Sequence, residues 1–241
     1  MKKYVLFFIG LSFCFGQNKN HFTHDQLTGQ IEKYMIKNQN YQLLPEVSKS
    51  FELMKTAALK DSIRIKIVSS FRSFNQQRKI WNRKFRKNNS MGLTANDNIT
   101  KIIEYSTIPG TSRHHWGTDI DIIDDNFEPK GDVLLPEKFY NNGPYEKLKN
   151  WMDDNSEKFG FFLVYTNNLN RTGFKHEPWH YSYSPISKNI LRNLLELNFR
   201  KLFIKKNVLG SKNMTPEFID YYKNKFLLGI NHDLKNMVFN E

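Results

Sequence analysis

The chain has 241 residues, of which 39% are hydrophobic and 15% aromatic. This length and composition support one domain with a packed core and are too small to argue for two. Lysine and arginine outnumber aspartate and glutamate by 36 to 24, so the surface should attract anionic partners such as nucleic acid, anionic lipid or acidic envelope polymers. Charge alone does not choose among these partners, and a solvated basic face explains it equally well.

The first sixteen residues have the layout of a secretory signal peptide. Two lysines precede an apolar run of about a dozen residues, which is too short to cross a bilayer comfortably. Cleavage after Gly16 would leave a mature chain, 17–241, that begins at Gln17 and has no membrane span. The only cysteine is Cys14, so the mature chain can form no disulfide. Lipidation of Cys14 and an uncleaved anchor are alternatives, but Phe13 is bulky where a lipidation signal carries a small residue.

Predicted helices and strands are intermixed along the rest of the chain. Apolar residues at Val47, Phe51 and Met54 indicate an amphipathic helix, and the alternation in SIRIKIVSS indicates a strand with one buried face. The patterns predict helices over 23–35, 45–59, 75–87, 145–158, 185–202 and 216–228, strands over 62–70, 118–123, 161–165 and 179–183, a polar loop over 88–98 and a short helical turn over 99–105. Regular βαβ alternation and a glycine-rich phosphate loop are lacking. We therefore expect an α+β fold, a single domain with a small, mainly antiparallel sheet flanked by helices.

Histidines and carboxylates cluster in two short segments, SRHHWGTDID at 112–121 and HEPWH at 176–180. Imidazole and carboxylate suit zinc, and a catalytic zinc keeps three protein ligands with a fourth position open for water. His114 from a loop, with Asp121 and His180 from two strands, can supply the three ligands at the sheet. Gly117 allows the turn that brings a loop ligand and a strand ligand together. Glu177 is the natural candidate for the carboxylate that takes a proton from the water.

Three motifs follow one another in a fixed order. They are Ser-x-His-x-x-Gly-x-x-x-Asp at Ser112, His114, Gly117 and Asp121; Glu-x-Trp-His at Glu177, Trp179 and His180; and, before both, Phe-Arg-Ser-x-x-x-Gln at Phe71, Arg72, Ser73 and Gln77. This set resembles the zinc D-alanyl-D-alanine carboxypeptidases of the VanY type and their dipeptidase relatives. The order of three motifs over 71–180 makes the resemblance specific, whereas any one of them would be a weak signal.

The resemblance implies a role for each matched residue. His114, Asp121 and His180 would bind Zn²⁺ as the cofactor. Glu177 would be the general base, and Arg72 would stabilise the substrate carbonyl as it becomes an oxyanion. The implied function is hydrolysis of D-Ala-D-Ala bonds in peptidoglycan stem peptides, with those peptides as partners and no nucleic acid.

Two positions depart from the family pattern. Asp119 stands where the family commonly has a small residue, and it shares a strand face with Asp121. It either orients a ligand histidine or competes for the ligand role, and we favour Asp121 on the resemblance. His115 doubles the motif histidine, and we interpret it as a residue that supports the site or faces substrate. Tyr181 and Tyr183 alternate with His180 and should face the core.

The position of the cut depends on the walls of the site. A carboxypeptidase needs a cationic or hydroxyl-rich end wall near the metal, whereas an endopeptidase that opens cross-links needs a cleft open at both ends. Ser112 and the loop before it, together with Arg113 and residues near Gln77, are the expected wall and substrate contacts, and the loop 88–98 is expected to close one end. A non-haem iron oxygenase and an inactive wall-binding module are the alternatives from other classes, and Glu177 argues against both.

Overall fold

The computed structural model describes residues 22–239. The predicted signal peptide 1–16, with Cys14, and the predicted mature N-terminus at Gln17 lie outside this range. Within 22–239, no helix is both long and apolar enough to span a bilayer.

A four-stranded antiparallel sheet forms the centre of the fold. Its strands are β3 (Ile65–Ser69), β4 (Asp119–Asp124), β5 (Phe161–Leu163) and β6 (His180–Tyr183), after a short hairpin of β1 (Ile36–Lys37) and β2 (Gln42–Leu43). The strand order is β3-β4-β6-β5, and every pairing is antiparallel. Asp121 on β4 lies directly opposite His180 on β6. Side chains of directly opposite residues lie on the same face of a sheet, so this register places both beside each other.

Nine helices of the described range surround the sheet: α1 (His24–Leu27), α2 (Pro45–Lys60), α3 (Phe74–Ser90), α4 (Ala95–Ile103), α5 (Glu146–Asn155), α6 (Ser184–Leu195), α7 (Phe199–Lys205), α8 (Pro216–Tyr222) and α9 (His232–Phe239). Elements from the two ends of this range share one core. The α+β prediction, a single domain with a small antiparallel sheet flanked by helices, is confirmed.

One face of the sheet packs against α2. That helix begins with Pro45 at its first turn, where a missing backbone N–H costs nothing, and it buries Val47, Phe51 and Met54. These side chains join the same core as Ile120, Ile122, Tyr181 and Tyr183. The two tyrosines therefore face the core, as the alternation along β6 predicts, and the other face of β4 and β6 is left for Asp121 and His180.

The predicted loop over 88–98 is wrong. Helix α3 continues to Ser90 and α4 already begins at Ala95. The amide of Asn88 donates to Oδ1 of Asn98 at 3.0 Å in a buried contact that joins the two helices. The hydroxyl of Thr94 accepts from the Asp97 N–H and caps α4. The polar residues of this segment lie at the end of α3 and the start of α4, where polar side chains cap helices, so their polarity does not indicate a long loop.

Two predicted helices are also too long. The segment 185–202 divides into α6 and α7, because Asn198 caps a new helix by accepting from the Lys201 N–H at 2.9 Å. The segment 23–35 is helical only over His24–Leu27. The hairpin of β1 and β2 follows it, and Oδ1 of Asn38 accepts from the N–H groups of Asn40 and Tyr41 in the turn. The sequence patterns do not predict this hairpin or α9.

Candidate active site

Three side chains from three elements converge beside the sheet. His114 lies in a 3-10 turn over Arg113–Trp116, Asp121 lies on β4, and His180 lies on β6. Their ligand atoms all lie within 4.8 Å of one another, and all three side chains are buried. Gly117 ends the turn at φ +68°, a left-handed conformation that favours glycine and lets the chain turn from His114 into β4.

The outer nitrogen of each imidazole is hydrogen bonded to an acceptor. Nδ1 of His114 lies 2.8 Å from the Ser70 carbonyl oxygen, and Nε2 of His180 lies 3.0 Å from Oδ1 of Asp119. Because these oxygens only accept, both nitrogens carry a proton. The inner nitrogens are Nε2 of His114 and Nδ1 of His180, which lie 3.2 and 3.3 Å from the carboxylate oxygens of Asp121.

The donor set and its charge fit a divalent metal. Among the described residues, Oδ1 of Asp121 is buried without a hydrogen-bond partner, although buried acceptors are rarely left unpaired. Burial alone would lower the pKa of His180, but Asp119, Asp121 and Glu177 raise it to about 10. Surroundings that stabilise a protonated imidazole this strongly also favour a metal cation. Two imidazoles and one carboxylate are a ligand set found at catalytic zinc.

Asp119 lies behind His180. Its Oδ1 also accepts from Nε of Arg113 at 2.7 Å, and its Oδ2 accepts from the hydroxyls of Thr118 and Ser182 at 2.6 and 3.0 Å. Burial would raise the pKa of Asp119, but Arg113 and His180 hold it well below its usual range. Both carboxylate oxygens are occupied, so the geometry favours an orienting role over that of a ligand.

Glu177 and Arg72 border the cleft that contains the converging side chains. Oε2 of Glu177 lies 3.2 Å from Nδ1 of His180, and 29% of the glutamate side chain is exposed. Nη1 of Arg72 donates to Oε1 of Gln77 at 3.1 Å, and Nη2 donates to the Ser69 hydroxyl at 3.2 Å. The carboxylate of Glu177 is therefore open to solvent, whereas the guanidinium of Arg72 is held in one orientation.

Gln77 and His115 lie behind Arg72 and do not line the cleft. Gln77 is 1% exposed, and its amide also donates to the Thr107 carbonyl at 2.8 Å. Nε2 of His115 accepts from the Gly110 N–H, so the proton is on Nδ1, which donates to the Arg72 carbonyl at 2.6 Å. Complete burial is the main reason that the pKa of His115 falls to about 3. Both side chains therefore help to hold Arg72 in place, and the predicted contact of Gln77 with substrate stays a prediction.

The cleft has a volume of about 200 Å³. Besides the side chains that converge in it, its lining residues are Tyr105, Ser106, Thr107, Ser112, Arg113, Leu134, Tyr165, Phe174 and Trp179. Arg113 is engaged by Asp119 and by the Ser182 hydroxyl at 2.6 Å, so it is not a free wall cation. Residues 88–98 do not contribute to the lining. A larger groove of about 900 Å³ lies along α7 and α8 and contains none of these residues.

Ser106 and Thr107 lie in the loop before Ser112, where the sequence analysis expects a wall, and Tyr105 lies next to them. Phe174 is absent from the sequence prediction. These residues belong to no motif, and their approach to the cleft depends on how two long segments fold back over the sheet. The hydroxyl of Ser112 makes no hydrogen bond within 22–239 and borders the cleft, where the sequence prediction expects it.

Two imidazoles, one carboxylate with a free oxygen, an adjacent open carboxylate and a fixed arginine define the class of site: a candidate metal centre of the hydrolytic type. The family model described as VanY, D-alanyl-D-alanine carboxypeptidase, matches residues 40–186. That match covers more than half of the chain and includes every residue of the converging set. The chain therefore belongs to the VanY D-alanyl-D-alanine carboxypeptidase family.

Individual relatives are more distant. An uncharacterised protein of Haemophilus influenzae is 35% identical over 34% of this chain and 63% of its own length. A D-alanyl-D-alanine carboxypeptidase of Enterococcus faecalis is 28% identical over 53% of this chain and 42% of its own length. The chain thus spans less than two thirds of either relative. The structure of VanYB in complex with D-alanine-D-alanine has a TM-score of 0.50 at 22% identity, covering 72% of this chain and 90% of that one, which shows a shared fold.

Proposed function

We propose that this protein is a zinc-dependent D-alanyl-D-alanine carboxypeptidase that acts on peptidoglycan stem peptides. The observation that carries the proposal is the coincidence of two independent features. The family match spans 40–186, and within it the fold brings His114, Asp121 and His180 within 4.8 Å of one another beside Glu177.

Zinc would be held by Nε2 of His114, a carboxylate oxygen of Asp121 and Nδ1 of His180. When bound, zinc supplies a Lewis acid that lowers the pKa of a water molecule towards about 7. The protein's contribution is to direct the two inner nitrogens towards the metal, because the Ser70 carbonyl and Asp119 bind the opposite nitrogens.

Glu177 and Arg72 would carry out the proton transfer and the charge stabilisation. Glu177 lies at the cleft and is partly exposed, so its carboxylate can accept a proton from the attacking water and donate it to the leaving amine. Arg72 is fixed by Gln77 and Ser69, so its guanidinium can donate to the substrate oxygen as negative charge develops there. Loss of such a donor typically costs roughly 3 kcal/mol of transition-state stabilisation.

The products distinguish the proposed carboxypeptidase from an endopeptidase. Purified zinc-loaded protein should release one D-alanine from a stem pentapeptide, as detected by mass spectrometry, and should act more slowly when the C-terminus is amidated. The hydroxyls of Ser106, Thr107 and Ser112 at the cleft support recognition of a terminal carboxylate. Conversion of cross-linked dimers to monomers without free alanine would instead identify an endopeptidase.

We also propose export to the periplasm or another extracellular part of the envelope, directed by residues 1–16. The supporting feature is the sequence pattern of two lysines and a short apolar run. Mass spectrometry of the exported protein should find Gln17, free or cyclised, at the N-terminus. A diacylglyceryl group on Cys14 would contradict this and would indicate a lipid anchor.

A further inference from the structure

Lys175 and Tyr105 form a bridge between two walls of the cleft. Tyr105 follows α4, and Lys175 lies in the segment that joins β5 to β6. Nζ of Lys175 donates to the hydroxyl of Tyr105 at 2.6 Å and lies 4.6 Å from the centre of its ring. Tyr105 lines the cleft together with Ser106, and Phe174 lines it from the opposite segment. The bridge therefore lies at the edge of the cleft and not on a remote surface.

The bridge exposes a cation that has no anionic partner. Lys175 forms no ion pair with a carboxylate of residues 22–239, and its side chain is exposed. The hydrogen bond that Lys175 donates to Tyr105 is the main cause that raises the pKa of the lysine, and Glu104 has a smaller effect in the same direction. The amine is therefore charged at neutral pH. An ammonium has three N–H donors, of which Tyr105 engages one. Two donors remain for a ligand.

The arginines of the cleft are engaged elsewhere. Arg113 is buried against Asp119 and Ser182. Arg72, held by Gln77 and Ser69, is the proposed donor to the substrate carbonyl oxygen. A substrate carboxylate entering from the side of Tyr105 would meet Lys175 as a cation with free donors. Its partner Tyr105 lines the cleft together with the next two residues, Ser106 and Thr107, whose hydroxyl groups are donors of the type that a carboxylate accepts.

We propose that Lys175, oriented by the Tyr105 hydroxyl, binds a carboxylate of the peptide substrate at this end of the cleft. The inference rests on the proposed peptidase function and specifies how that site selects its substrate. The carboxylate is either the terminal one of the peptide or one carried on a side chain of the stem, and the two sources are separable by experiment.

The test compares zinc-loaded Lys175→Met with the zinc-loaded native protein on three peptides. These are a stem pentapeptide with all carboxylates free, the same peptide amidated at its C-terminus, and the same peptide amidated on its side chains. Lys175→Met should lower kcat/KM by about two- to fivefold on peptides that retain the recognised carboxylate, in line with an exposed charged contact. It should leave kcat/KM unchanged on the peptide that lacks it. Lys175→Arg should restore part of the loss, and Tyr105→Phe should show a smaller loss with the same substrate pattern.

Lys225→Met is the matched control. Lys225 is also exposed and lies 5.2 Å from the centre of an exposed tyrosine ring, that of Tyr221, but Tyr221, unlike Tyr105, does not line the cleft. The substitution retains the backbone of Lys225 and should leave kcat/KM unchanged on all three peptides.

Each outcome has a definite meaning. Selective loss on peptides with a free C-terminus assigns Lys175 to the terminal carboxylate, and selective loss on peptides with free side chains assigns it to the stem. An equal loss on all peptides, or no loss, overturns the inference. If the zinc-loaded native protein cuts none of the peptides, the proposed function fails. Calorimetry then tests the role of Lys175 separately, by comparing the affinities of the native protein and of Lys175→Met for the same peptides.

Discussion

At the scale of single residues, the two imidazoles of the cluster hold protons on the nitrogens that point away from Asp121. The other nitrogen of each ring stays directed towards Asp121, because rotation of the ring would break its hydrogen bond to the Ser70 carbonyl or to Asp119. The binding site is therefore oriented before any metal enters.

Replacing His114, Asp121 or His180 with alanine removes one of these ligands. Each variant should retain less than about a tenth of the zinc of the native protein, as measured by metal analysis after dialysis against a weak chelator. Asp119→Asn should retain the metal but bind it about 10–100-fold more weakly, because His180 loses the charge that orients it. Full zinc in Asp121→Ala, together with loss in Asp119→Asn, would reverse the ligand assignment.

Glu177→Ala and Arg72→Ala should retain zinc and the fold, because neither side chain is among the ligands. We expect kcat/KM to fall about 10²–10⁴-fold for Glu177→Ala and about 10²–10³-fold for Arg72→Ala. Steady-state kinetics on a stem pentapeptide, with metal content and circular dichroism on the same samples, measures this. Glu157→Ala, a change at an exposed glutamate far along the chain from the motifs, should behave as the native protein. Substantial turnover by Glu177→Ala would contradict its assignment as general base.

At the scale of helices and strands, residue spacing predicts the elements that carry the site better than those that surround it. The alternation in β3, β4 and β6 and the apolar face of α2 are local signals, because one face of each packs in the same hydrophobic core. The predicted strand and helix positions agree with the structure there to within a few residues. The three converging side chains are also predictable, because the motifs assign His114 to the loop before β4, Asp121 to β4 and His180 to β6.

Side chains that act through distant contacts are not predictable in this way. Asn88 pairs with Asn98 inside the fold, whereas sequence patterns assign both to an exposed loop. Gln77 matches a motif, but only the fold shows that its side chain is bonded to Arg72 and to the Thr107 carbonyl. The bridge between Tyr105 and Lys175 joins residues 70 positions apart and has no local signature.

The cap at Thr94 offers a stability test of the corrected helix boundary. Thr94→Ala removes the oxygen that accepts from the Asp97 N–H, so we expect it to lower the free energy of unfolding by about 1 kcal/mol. Urea denaturation monitored by circular dichroism measures the change. The control is Thr56→Ala, which alters an exposed threonine within α2 whose hydroxyl donates to the Glu52 carbonyl and caps no helix. An equal and small effect of both substitutions would argue against the cap.

At the scale of the whole molecule, helices beyond the family match contact both segments that wall the cleft. The hydroxyl of Tyr222 on α8 accepts from the Ile108 N–H at 3.1 Å and lies 2.9 Å from the Thr111 hydroxyl. On the other side, Nη1 of Arg171 donates to the Gly229 carbonyl at 2.9 Å. The segment before Ser112 and the segment before Glu177 are thus tied to the same C-terminal helices.

Tyr222→Phe should therefore affect both stability and catalysis. It leaves the buried Ile108 N–H without a partner, and the Thr111 hydroxyl keeps only its bond to the Ile108 carbonyl, which costs about 1–3 kcal/mol of unfolding free energy. Because Ile108 and Thr111 precede Ser112 and His114, we also expect a lower kcat with zinc retained. Denaturation and kinetics on the same preparation measure both, with Tyr221→Phe at the neighbouring exposed tyrosine as control. Native kcat in Tyr222→Phe would show that the wall keeps its position without this contact.

The shared core also bears on how the protein can be divided or fused. Phe74, Trp81 and Trp116, which lie within the family match, pack in one cluster with Phe203 and Tyr222, which lie beyond it. A fragment trimmed to 40–186 would expose these aromatic rings to water and become prone to aggregation. The segment 40–186 therefore cannot be moved alone into another protein, and a chimaera that uses it must also include the helices up to residue 239.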